Sequence, residues 1–108
     1  MIGSYKIITL CGSTKFKAEF IKAQRELTLH GNIVLTVGLF GHADKEYESA
    51  ITEEIKKMLD DMHLRRIDMS DEIFVINKNG YIGESTQREM NYAALNGKPI
   101  GYLESVIL

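Results

Sequence analysis

The chain has 108 residues, 44% hydrophobic and 26% charged, with a formal net charge of -2. That length suits one domain, 1–108, with enough apolar content for a core without disulfide or metal staples. The near-balanced charge argues against a binder of nucleic-acid polymers, and no run approaches the roughly 18 apolar residues of a membrane span.

Lys6 to Cys11 reads as a buried strand whose apolar run, Ile7, Ile8 and Leu10, stops at Gly12-Ser13. Lys15 to Leu29 reads as an amphipathic helix, with Phe16, Phe20, Ala23 and Leu27 at helical spacing and Gly31 closing it. Asn32 to Val37 is a second strand, followed by a loop over Gly38 to Glu46. Ile51, Ile55, Met58, Leu59 and Met62 mark a second helix that runs to about Met69. Glu72 to Asn77 is a third strand, and Asn79-Gly80 begins a loop. Ser85 is a good N-cap for a third helix ending near Gly97, and Lys98 to Leu103 supplies a last strand.

Alternation of strand and helix predicts a three-layer α/β fold with a parallel sheet of about four strands, order 2-1-3-4. Ligands in such sheets bind outside the carboxyl ends of the strands, beside the topological switch between strands one and three. The rule selects Gly12-Ser13-Thr14 and the segment Asn77 to Glu89, with the Gly38 to Asp44 loop on the same edge.

Cys11-Gly12-Ser13-Thr14 has two readings. It is a plain strand-to-helix turn with a serine cap, or a cradle in which the hydroxyls and free N–H groups hold phosphate or sugar oxygens. No Gly-x-Gly-x-x-Gly or Walker lysine motif is present, so no dinucleotide or other cofactor is implied. In Gly83-Glu84-Ser85-Thr86-Gln87-Arg88-Glu89, a cap at Ser85 makes Glu89 the fourth helical residue, on one face with Tyr92, Ala93 and Asn96. A helix start favours the ionised carboxylate, which suits a nucleophile, although acidic first turns also merely complement the dipole. The charges of Asp60 to Asp71, His63 and Asp68 among them, read either as a solvated helix face or as site residues. His30 and His42 lack metal-ligand spacing, and with one cysteine no metal site is expected. Cys11 reads as a small buried residue in a reduced, cytoplasmic setting.

Together these residues resemble the nucleoside 2-deoxyribosyltransferase superfamily, which includes the 2′-deoxynucleoside 5′-phosphate N-hydrolases. The carriers are a first strand ending Cys11-Gly12-Ser13, the strand Asp71-Glu72-Ile73-Phe74-Val75-Ile76, and a helix with Glu89 followed by Tyr92-Ala93. The resemblance spans nearly the whole chain. It implies a flavodoxin/Rossmann-like fold and a nucleoside or nucleotide as small-molecule partner. Glu89 then attacks the anomeric carbon, and Cys11, Gly12, Ser13, Thr14, Gly83, Ser85 and Thr86 lie where those proteins touch sugar or 5′-phosphate. The sequence departs from the pattern in two places. Thr9 stands where these enzymes often carry tyrosine, and ungapped counting puts His63 where they carry an aspartate, with Asp68 reached only by a register shift. His63 or Asp68 is the expected proton donor. A non-catalytic nucleotide-binding or sensing module on the same scaffold is the rival expectation. A homodimer or higher homo-oligomer is expected as well, through exposed Leu39, Phe40, Val106 and Ile107.

Overall fold

The computed structural model describes residues 1–106, which places Ile107 outside the described residues. The chain forms β1 (Ile7–Gly12), α1 (Lys17–Leu29), β2 (Ile33–Leu35), α2 (Glu53–Asp68), β3 (Glu72–Ile76), α3 (Glu84–Leu95) and β4 (Ile100–Tyr102). Short 3-10 turns at Thr14–Phe16, Lys45–Ala50 and Lys78–Gly80 link them. The four strands form one parallel sheet in the order β2-β1-β3-β4. The expected three-layer α/β architecture and strand order therefore stand. Among the described residues no helix is long and apolar enough to cross a membrane.

The alternation of side chains along β1 and β3 divides the core into two halves. On one face Cys11, Ile73 and Val75 pack with Ile67 of α2 and with Met90 and Ala93 of α3. On the other, Leu10 and Ile76 pack with Phe20 and Ala23 of α1. Burial on both faces is why these strands are apolar throughout. β2 is shorter than Asn32 to Val37 because it is an edge strand, and its ladder with β1 ends at Leu35.

The loop after β2 departs from its expected exposure. Phe40 packs edge-to-face on Phe20 with ring centroids 5.4 Å apart, so it belongs to the core rather than to a free surface. An ion pair between Lys17 and Asp44 at 2.6 Å closes this loop onto α1. Leu39 is half-buried, whereas Val106 is 44% exposed. At the end of β1, Gly12 has a φ of 151°, and a Cβ there would lie 3.0 Å from both Ile76 Cβ and Ile76 O. Close approach of β1 to β3 explains the glycine.

The start of α3 is also corrected. Gly83, not Ser85, is the N-cap, and no side chain caps the helix. Glu89 is thereby the sixth helical residue, in the second turn, where the field of the helix terminus has faded.

Candidate active site

The two helices on the Cys11 face meet over the carboxyl half of β1. α2 contributes His63 and α3 contributes Glu89. His63 Nε2 lies 3.4 Å from Cys11 Sγ and 3.7 Å from Glu89 Oε1. Cys11 and His63 are buried, and the Glu89 side chain is 16% exposed. The sequence-derived residues Cys11, His63 and Glu89 thus share one point, their ligand atoms all within 4.8 Å of one another.

Burial governs the charges here. It pushes the Glu89 carboxyl up to about 7, and the nearby Asp60 charge acts in the same direction against the Cys11 hydrogen bond. It also pushes His63 down to about 4, assisted by the Arg66 cation. The Cys11 thiol is held well above its usual range by burial first and by the Glu89 charge second. At neutral pH the cluster therefore holds a neutral imidazole, a thiol and a carboxyl close to its midpoint. Desolvation thus counts against the expected role of His63 as proton donor, because its ring is neutral at pH 7.

Arg66 fixes the tautomer of that imidazole. Its Nη1 lies 3.4 Å from His63 Nδ1. A guanidinium only donates, so Nδ1 accepts and the ring proton sits on Nε2, facing Cys11 and Glu89. A nucleophile–base–carboxylate relay needs its partners on opposite ring nitrogens. Here the thiol and the carboxylate address the same nitrogen, so the cluster is not a cysteine-based triad. Its chemistry is a carboxyl group with an N–H donor beside it.

Glu89 borders a cavity of about 180 Å³ lined by Asp60, Leu64, Ser85, Arg88, Glu89 and Tyr92. Asp60 and Leu64 come from α2 and the other four from α3. Ser85 accepts from Arg88 Nη2 at 3.1 Å. Two carboxyl groups, one half-buried and one exposed, thus share the cavity from different helices.

The remaining expected site residues divide. Gly83 precedes the cavity as the N-cap of α3, and Thr86 is buried on the inner side of that helix. Gly12 ends β1, and Ser13 and Thr14 follow it at the correct edge, but none of the three lines the cavity. Ser13 Oγ accepts from Lys15 N at 3.4 Å, and Thr14 Oγ1 accepts from His42 N at 3.3 Å. Their hydroxyls therefore serve the local turn and the loop after β2. Asp68 is excluded. It ends α2 at the opposite edge of the sheet, exposed, and accepts from Tyr92 Oη at 2.6 Å.

Four contributors were not singled out from sequence. Asp60 and Leu64 stand three residues before and one after His63, so helical spacing alone puts Asp60 on the His63 side of α2. Arg88 precedes Glu89 and lies on the cavity wall. Arg66 stands one turn after His63. Comparison of the chain with family models, curated proteins and solved structures gave no match.

Proposed function

We propose that the chain cleaves or transfers at the N-glycosidic bond of a nucleoside or nucleotide, with Glu89 as the nucleophile. The observation that carries this reading is a half-buried carboxyl at the edge of a cavity, with an N–H donor at 3.7 Å and a second carboxylate on the adjoining helix. In the reaction an ionised Glu89 oxygen bonds to the anomeric carbon as the carbon–nitrogen bond breaks. The bonding pair leaves with the base, which takes up a proton. Water or a second base then displaces the carboxylate. Splitting the substitution in two lowers each barrier, as in retaining glycosidases.

The Nε2–H of His63 stabilises the charged Glu89 and orients it, but a neutral imidazole is a poor acid. The departing base takes its proton from solvent at the cavity mouth, beside the Asp60 carboxylate, which pairs with Lys56 at 3.4 Å. The cavity is smaller than the roughly 300 Å³ at which ligand pockets usually begin. It suits a sugar ring with the base reaching outward past Asp60 and Arg88. A second copy of the chain would cover that opening, and we extend the proposal to a homodimer. Sedimentation as a monomer at micromolar concentration would remove that part.

The test is release of free base from a panel of deoxynucleosides and deoxynucleotides, repeated with Glu89→Ala. Equal release by both proteins excludes Glu89 as nucleophile. One observation favours the rival reading, a nucleotide-binding module without turnover: a Glu89 near its midpoint at neutral pH is charged only part of the time. Nucleotide binding in a calorimeter with no base released at any pH would select it.

A further inference from the structure

We propose that Cys11, His63 and Glu89 form a binding site for a thiophilic divalent cation, zinc above all. The donor set is one sulfur, one imidazole nitrogen and one carboxylate oxygen, which suits zinc and disfavours magnesium or calcium with their all-oxygen preference. The three residues come from β1, α2 and α3, so the fold itself holds them together.

The separations fit one ion. With zinc bonds of about 2.3 Å to sulfur and 2.0–2.1 Å to nitrogen and oxygen, a tetrahedron has a sulfur–nitrogen edge of about 3.5 Å and a nitrogen–oxygen edge of about 3.3 Å. The corresponding distances are 3.4 Å and 3.7 Å. The widest separation is no more than 4.8 Å and closes by rotation of the Glu89 carboxylate, which borders open space. Sulfur and oxygen converging on one nitrogen is a poor arrangement for a proton relay and a good one for coordination. Three protein ligands leave a fourth position on the cavity side, the pattern of an open zinc site.

Binding moves protons in a defined way. The Cys11 thiol and the protonated fraction of Glu89 lose their protons to solvent, and the ring proton of His63 shifts from Nε2 to Nδ1. Thiolate and carboxylate then balance the two charges of the ion. The obstacle is Arg66, whose donor-only guanidinium holds Nδ1 as an acceptor. Arg66 is half-buried and, among the described residues, no carboxylate lies within ion-pair distance of it, so it is free to turn away. Arg66 therefore tunes the site against the metal. Occupancy would also take up the Glu89 oxygen and silence glycosidic chemistry, a consequence that rests on the proposed function, whereas the binding does not.

The experiment uses the untagged, chelator-treated chain. Zinc uptake is measured by equilibrium dialysis with metal analysis, and cobalt(II) is added as a spectroscopic probe. Expected are one zinc per chain and a thiolate-to-cobalt charge-transfer band. Cys11→Ser removes the band and weakens zinc at least about tenfold, and Glu89→Gln also weakens it. Arg66→Gln tightens it about tenfold, the scale on which groups next to a ligand act. Circular dichroism checks folding, and if Cys11→Ser is unfolded, the Glu89→Gln and Arg66→Gln results decide. Sub-stoichiometric uptake, a missing cobalt band, or affinity indifferent to Glu89→Gln and Arg66→Gln overturns the site. Base release is assayed separately in chelator. Metal uptake without base release sinks only the glycosidic reading, and base release without uptake sinks only this one.

Discussion

Buried His63 and half-buried Glu89 give the chain a pH profile of stability that can be worked out from their positions. Folded Glu89 keeps its proton to about pH 7, whereas the ordinary value is 4.5. Between those values the folded state binds more protons than the unfolded one, so stability falls as pH rises through the window. At about 1.4 kcal/mol per pH unit the loss approaches ~3 kcal/mol once the window is passed. His63 acts in the opposite sense. Its ordinary value is 6.5 and its folded value about 4, so the folded state binds fewer protons in between. Stability is then lost as pH falls, again by ~3 kcal/mol in full. From about 4.5 to 6.5 the two slopes cancel, and the metal-free chain has a plateau there with a shoulder on each side. Each substitution unmasks the other group. Glu89→Gln shows stability rising with pH from about 4 to 6.5, and His63→Gln shows it falling from about 4.5 to 7. Urea denaturation in chelator, followed by circular dichroism across this range, measures the three curves. A Glu89→Gln curve that runs parallel to the unsubstituted chain would refute the claim that burial of Glu89 sets its charge.

Base release should climb with pH through about 7 and then level off, because the attacking form of Glu89 is the ionised one; a rate that falls over that range counts against a nucleophilic carboxylate. Gly12→Ala should cost about 2 kcal/mol in denaturant melts, since its Cβ meets Ile76 at 3.0 Å in a conformation that L residues rarely adopt. Asn77→Ala should cost about 2–3 kcal/mol, because the buried amide donates to Glu104 O at 3.0 Å and accepts from Glu104 N at 2.8 Å. Asp68→Asn should leave base release unchanged, and a large drop would return that residue to the site.

Much of the fold is written in local pattern. Ile73 to Ile76 reads as a strand because both faces are covered, and Phe20 and Ala23 recur on the buried stripe of α1. What the pattern misses depends on distant partners. Phe40 looks like an exposed loop residue until Phe20 is seen beneath it. The N-cap at Ser85 is chemically sensible, yet the chain enters α3 at Gly83, and that two-residue difference moves Glu89 out of the reach of the helix terminus. The charge state of Glu89 is then set by depth, which spacing along a helix cannot report.

The pairing of the site residues follows from how α2 and α3 lie. Both cross over between parallel strands, so both run against the sheet direction and are parallel to each other. Two contacts fix their offset: His63 with Glu89, and Asp68 with Tyr92. Asp68 is five residues beyond His63, about 7.5 Å along the axis. Asp60, three residues before His63, lies about 4.5 Å in the other direction, toward the carboxyl edge where the cavity opens. A register shift that brought Asp68 to Glu89 would draw Ile67 and Leu64 off Val75 and Met90, and the core fixes the register against it. The same packing that forms the hydrophobic face thus decides which α2 carboxylate Glu89 meets.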